Sequence, residues 1–339
     1  MQRQTPPRFT VEIYHDVVPY LAGISFREFF EDTDKMISAW QVATEWTLET
    51  FHGGLAPRVP TAAPNSYGHL ICLGAPLRQP EHGEPNIAPV TDSLTEAIRL
   101  LEAAQGMDYT ACPIFQRYAE VSARVRAVFP DAPVLGGLGV EGPITSVALF
   151  LGDAFYMDAL DRPDETLYFL RLMTDSIIAF KQQVNAFMGR PPIDPSGTWL
   201  ADDLASMLPP RLWDSFVVPS WRRFHQGTTH ADHFFVHCEA VVPAQLPYFR
   251  QAGVTFYQPS VSPQLALADM RALGLPFDWL LYAYHITGMD DAAIETWVRD
   301  AVQAGAQNVR TQLGAYTLGI NKLDRIHAFL DIADTYKIT

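Results

Sequence analysis

The sequence predicts an α/β fold, a single closed (β/α)8 TIM barrel over residues 1–339, on three observations. The second half repeats strand, loop, helix and glycine at roughly 25 to 30 residues, the length of a βα unit. Runs 233–239, 254–258, 277–284 and 306–313 are each followed by a helical stretch, and Gly253, Gly274 and Gly305 close the first three helices. No phosphate-binding fingerprint accompanies them: Gly136-Gly137-Leu138-Gly139 does not meet the dinucleotide-binding spacing, which favours a barrel over a doubly wound sheet. No linker or composition break divides the 339 residues, a length that single barrels often reach.

The first half supplies elements of the same kinds. Residues 9–22 mix β-formers with His15 and Asp16, and Ser25-Phe26-Arg27-Glu28 reads as a capping box that starts a helix. Met36, Trp40, Ala43 and Trp46 recur at helical spacing between Asp34 and Phe51. His52-Gly53-Gly54 opens a Pro/Gly-rich stretch to Pro89, read as a loop-rich insertion or lid. Asp92–Ala104 and Pro113–Phe129 are amphipathic helices. Residues 132–140 read as a buried strand and a glycine turn before a helix opened by Pro143. Pro163 starts a strong helix with Leu167, Leu170, Met173, Ile177, Phe180, Val184 and Phe187 along it, ended at Gly189. An irregular strand, 191–199, and a helix, 209–224, precede the repeats.

Composition narrows the class. The formal net charge of −14 disfavours nucleic-acid and anionic-membrane partners, because phosphates would be repelled over most of the surface. Cys72, Cys112 and Cys238 contain no CxxC and suit a reducing compartment. Met1–Arg8 is polar with no apolar core of a signal peptide, and no apolar run is long enough for a membrane span, so a cytoplasmic enzyme is expected.

In a barrel the chemistry sits at the C-terminal ends of the strands. That rule selects His52, Glu141, Asp202, Asp203, His237, Cys238, Glu239, His285 and Tyr316. Residues two apart on a strand face the same way, so His237 and Glu239 converge and Cys238 points to the other side. An imidazole and a carboxylate together suit zinc or another divalent metal. The alternative is a hydrogen-bonded core histidine beside a salt-bridged glutamate. Cys238 is expected to be buried and inert, and His230 and His233 are spread too far along the chain to join His237. Asp202 and Asp203 read either as caps or as general acid/base carboxylates.

Several segments carry a resemblance. Glu141-Gly142-Pro143-Ile144-Thr145, followed by a helix, resembles the GPxT motif of the uroporphyrinogen decarboxylase superfamily. Asp202 to Pro209, with Phe216-Val217-Val218-Pro219, resembles its D-x-x-x-x-LSP…FVLP segment, and His237 to Gly253 resembles its H-x-C-G…EAG segment with equal His-to-Gly spacing. Leu313-Gly314-Ala315-Tyr316 resembles the last-strand LGHG or GCG element. Ser25 to Phe29, followed by Lys35-Met36, resembles the early helices of the methyltransferase-like branch. The resemblance implies a barrel and a homodimer. It also implies one of two activities: a decarboxylase that needs no metal or cofactor, or a zinc enzyme that moves a methyl group between a corrinoid and a thiol. In the zinc enzymes, the His and Cys of H-x-C and a last-strand Cys bind the metal. Here His237 matches the His, Glu239 stands at the first Cys position, Ala315 stands at the second, and Cys238 is one residue out of register. The decarboxylase branch carries an arginine-bearing RQAGR element, and nothing in this chain resembles it, Arg27 and Arg58 being isolated.

The expectation is therefore metal-assisted methyl transfer to or from a small molecule or a corrinoid. His237 and Glu239 would be the metal ligands, Asp202, Asp203 and Glu141 the acid/base candidates, and His285 and Tyr316 the pocket lining. A corrinoid or corrinoid protein is the expected partner, with zinc or no cofactor. The alternatives are decarboxylation of an organic acid or porphyrinogen, with Glu141, Asp203 or His237 as proton donor, and a non-catalytic tetrapyrrole- or corrinoid-binding barrel.

Overall fold

The computed structural model describes residues 8–80, 83–260 and 262–337. Residues 1–7, on which the reading of no signal peptide rests, lie outside the described residues, as do 81 and 82 of the 52–89 stretch. The chain falls into two compact units. One holds the residues to Val59, Ala240–Pro243 and those from Phe256; the other holds Pro60–Glu239 and Ala244–Thr255. The described strands are β1 (Arg8–Ile13), β2 (Leu77–Arg78), β3 (Asn86–Ile87), β4 (Thr198–Ala201), β5 (Phe234–His237), β6 (Phe256–Gln258), β7 (Asp278–Leu281) and β8 (Asn308–Leu313).

The α/β content is as expected, but the closed barrel is not met: the described strands form three separate sheets of three, two and three strands. The first half of the chain withholds the strands that closure needs. Residues 134–140 form a turn with one isolated bridge, Asn65 to Leu138. Gly137 sits there at φ +92°, and a Cβ on it would come within 2.3 Å of the Ala62 carbonyl oxygen. A backbone bent in that way cannot run on as a strand. Of the stretch 191–199, only Thr198 and Trp199 enter β4. The later strands are also shorter than their apolar runs: the one expected over 277–284 stops at Leu281, and Ala283–Ile286 is already helical.

In the unit that contains both chain ends, β1, β8 and β7 are parallel, with Arg8 opposite Asn308 and Ile13 opposite Leu313. Alternation buries Val11, Ile13, Val309 and Leu313 and turns Glu12 and Arg310 to the other face. Arg310 bridges Glu12 at 3.0 Å and Asp278 at 3.1 Å. The capping box forms as read: Ser25 Oγ accepts from the Glu28 N–H and Glu28 Oε2 from the Ser25 N–H. The helix Thr33–Phe51 buries Met36, Trp40 and Ala43, the residues that gave its period.

In the other unit three helices position the site: α1 (Pro143–Leu151), α2 (Pro163–Phe187) and α3 (Val218–Thr228). Each carries proline in its first turn, where a missing N–H costs nothing. β4 and β5 pair in parallel, Thr198 opposite Phe234 and Ala201 opposite His237. Leu200, Phe234 and Val236 are buried on one face, each contributing about 1.5–3 kcal/mol. Trp199, Ala201, Phe235 and His237 line the other face and are more open. A π-helical turn, Trp213–Val217, leads into α3 and buries Trp213 against Trp221 and Phe249. The 52–89 stretch holds a short helix, Gly68–Cys72, and the antiparallel pair β2–β3, both too short to leave a periodic signal. Among the described residues no helix is long and apolar enough to cross a membrane.

Candidate metal site

β4 and β5 end level with one another, and the Asp202 N–H continues the ladder to the His237 carbonyl at 3.0 Å. The acids follow at once. Asp203 lies two residues past Ala201 and Glu239 two residues past His237, so alternation turns both toward the His237 side. His237 Nε2 stands 3.5 Å from Asp203 Oδ1 and 3.5 Å from Glu239 Oε1. One ligand atom from each of the three lies within 4.8 Å of the others. Asp203 Oδ1 also accepts the Glu239 backbone N–H at 2.9 Å, which ties the two strand ends together. Burial pushes the Asp203 carboxyl above its ordinary value, opposed by His237 and by that N–H.

The donor set fits a divalent cation. Ligands about 2.0–2.2 Å from a tetrahedral zinc stand about 3.4 Å apart, and two of the three pairs here have that separation. One imidazole and two carboxylates form a harder set than a thiolate site, and three protein ligands leave a position open. Cys238 does not contribute. It is fully buried, its Sγ lies 3.2 Å from the Asp202 carbonyl oxygen, and burial with the nearby Asp203 and Asp202 charges holds the thiol well above its usual range.

Asp202 turns the opposite way from Asp203. Its carboxylate is fully buried and accepts from Ile144 N at 3.2 Å, Thr145 N at 2.6 Å and Trp221 Nε1 at 2.6 Å. The first two are free N–H groups of the first turn of α1, so a carboxylate from another element does the capping that Gly142 cannot. Burial raises Asp202 to about 6, opposed by these hydrogen bonds. Gly142 donates to the Ala201 carbonyl at 2.6 Å, and a Cβ there would fall 2.5 Å from the Asp202 side chain. Thr145 Oγ1 accepts the Leu204 N–H at 3.0 Å, a second tie between α1 and the Asp203 loop.

The same ties bring up Glu141, the residue before Gly142. Its carboxyl is raised to about 8, by burial first and then by the charges of Asp203 and Asp202, while Ser66 and His237 pull the other way. It holds its proton at neutral pH and can exchange it within the working range of an enzyme.

The fold is similar to that of a methyltransferase from Methanosarcina mazei, with a TM-score of 0.70 over 99 % of this chain and 95 % of that one. The two chains are 14 % identical, so the likeness is one of fold. No protein-family model matches the chain, and no curated protein matches its sequence.

Glu141, Asp202, Asp203, His237 and Glu239 thus gather in one unit. His52, His285 and Tyr316 belong to the other. His285 does not end a strand: it lies in the helix Ala283–Ile286, its ring centroid 4.2 Å from that of Tyr284, and burial lowers its pKa. Tyr316 is exposed in the first turn of Ala315–Gly319. His52 is the left-handed C-cap of the helix Thr33–Phe51. Trp221 and Ser66 carry no sequence signal that ties them to the site, because only tertiary packing brings the indole to Asp202 and the hydroxyl to Glu141.

Proposed function

We propose that the chain is a divergent member of the uroporphyrinogen decarboxylase and corrinoid-thiol methyltransferase superfamily, on its methyltransferase-like side. In this reading it transfers a methyl group with the help of a divalent cation held by Asp203, His237 and Glu239. The convergence of these three side chains carries the reading, and the fold likeness to a methyltransferase is in keeping with it. A cation bound there would lower the pKa of a coordinated thiol, hydroxyl or water and make it a nucleophile. The Glu239 backbone N–H, donating to Asp203 Oδ1, orients the Asp203 carboxylate. Glu141, in its carboxylate form, takes up the proton that the acceptor gives up, its raised pKa making it the stronger base for that step. Asp202 acts by position, fixing α1 and with it Glu141 against the end of β4.

A second reading draws on Glu141 alone. A carboxyl raised to about 8 is a proton donor at neutral pH, as decarboxylation of an organic acid requires.

The deciding experiment is metal analysis of protein purified without chelator, beside His237→Ala. About one zinc or other divalent ion per chain, lost in the variant, is expected. An assay with methylcobalamin and a small thiol, followed by corrinoid absorbance, should show methyl transfer that stops with a chelator. No ion in either protein sinks the metal-assisted reading, and carbon dioxide release insensitive to a chelator would favour decarboxylation.

A further inference from the structure

A cavity of about 630 Å³ lies in the same unit as the three ligand side chains. That volume is within the range of small-molecule sites. Glu141, Ser66 and Ala201 line it at the C-terminal end of β4, and Ala201 is the register partner of His237. Its wall continues along the full length of β4 to Thr198 and His233. Trp199, Phe235, Phe224 and Val184 make most of that wall apolar.

One side chain is out of keeping with the apolar wall. Lys181, on α2, lines the cavity with its Nζ 5.4 Å from the centre of the Phe224 ring. Among the described residues no carboxylate lies within ion-pair distance of that ammonium. The charged or titratable groups that share the lining are Arg190, Asp194, His233 and Glu141. Asp194 is already engaged, its Oδ1 accepting from Ser196 N at 2.8 Å and from Ser196 Oγ. Burial lowers the Lys181 ammonium to about 8, opposed by the more distant Asp194. A half-buried ammonium in an aromatic wall, with no carboxylate at ion-pair distance among the described residues, gains a charge-assisted partner from an incoming anion.

We propose that this cavity binds an elongated organic anion, its carboxylate or sulfonate paired with Lys181 Nζ and its apolar body on Trp199, Phe235 and Phe224. Its far end then reaches Glu141 beside the three ligand side chains. That this anion is the methyl acceptor or donor rests on the function proposed above; that the cavity binds it does not.

The probes are 8-anilinonaphthalene-1-sulfonate, an aromatic anion, and N-phenyl-1-naphthylamine, its uncharged analogue, both read by fluorescence with the full-length chain. Each should bind once per chain. Lys181→Met should weaken the sulfonate roughly tenfold or more and leave the amine within about twofold, as expected when one charge-assisted contact is removed. Lys181→Arg, which keeps the charge, should retain the sulfonate, and Val184→Trp, which fills the cavity, should weaken both probes. If Lys181→Met does not fold by circular dichroism, Lys181→Gln set beside Lys181→Arg makes the same comparison. His237→Ala should lose the cation and keep both probes, so a failure of the metal reading is told apart from a failure here. Equal binding of the sulfonate by wild type and Lys181→Met, or undiminished binding of both probes by Val184→Trp, overturns the proposal.

Discussion

Asp202 and Asp203 are adjacent in the chain, and their carboxylates serve opposite sides of it. Asp202 is buried under the first turn of α1 and the Trp221 indole, and Asp203 stands 3.5 Å from His237. Alternation past the end of β4 separates a packing acid from one that faces His237 within two residues. Asp202→Ala should lower stability by about 3 kcal/mol or more, because three buried donors lose their acceptor. Asp203→Ala should cost about 1 kcal/mol or less and abolish metal binding. Urea melts and metal analysis of the two variants check the contrast. Equal stability losses would show that the two acids do not divide the work in this way.

In the superfamily proposed above, Glu239 would stand where the zinc enzymes carry a cysteine ligand. Glu239→Cys should keep the cation and shift the preference toward zinc over magnesium or manganese, since a thiolate is the softer donor. Competition against a chromophoric chelator should show zinc tightened by about tenfold or more. Loss of all metal in this variant would mean that residue 239 does not face the site.

Glu141 gives a pH signature with a definite sign. Its carboxyl is raised to about 8 in the folded chain, so the folded state keeps a proton that the unfolded state releases above pH 4.5. The corresponding stability is present below that value and is lost as pH rises through 8. Metal-free wild type should therefore lose stability between pH 6 and 8.5, on the order of 2 kcal/mol more than Glu141→Gln does. Identical pH slopes in the two proteins would contradict the buried, proton-bearing carboxyl.

His69 gives the opposite sign. It is fully buried, hydrogen-bonded to Ser176 Oγ at 2.8 Å, and held down to about 3 by burial. The unfolded state takes up a proton below pH 6.5 and the folded state does not until about pH 3. Stability from this group is complete above 6.5 and falls by about 1.4 kcal/mol per pH unit below it. His69→Gln should flatten the decline between pH 6.5 and 4.5, as measured by chemical denaturation at each pH.

Much of this architecture is legible in the order of the residues alone. The capping box at Ser25, the face of Met36, Trp40 and Ala43, and the prolines that open α1 and α2 are local signals, and local signals survive folding. The pairing of His237 with Glu239 follows from strand alternation. The closed barrel that the repeats predict does not form, in part because the run before the glycine turn reads as a buried strand while residues from 134 on already lie in the turn that Gly137 makes. His285 falls away from a strand end for a related reason: an apolar run cannot say where it changes from strand to helix. Asp202 and Asp203 cannot be told apart from the chain either, since what separates them is the indole of Trp221 and the N-terminus of α1, both distant in sequence.

The level pairing of Ala201 with His237 has an evolutionary consequence. With β4 fixed by Asp202 and Gly142, the chemical character of the site depends on how many residues separate His237 from the next donor. Glu239 is turned toward His237 and Asp203, where the proposed cation would be held, and Cys238, one residue nearer, is turned into the core. Insertion of a single codon directly after that of His237 would bring the thiol round to the cation and turn the carboxylate away, with no change of residue type. An insertion at this strand end is thus a second route between hard and soft metal chemistry, beside the Glu239→Cys substitution.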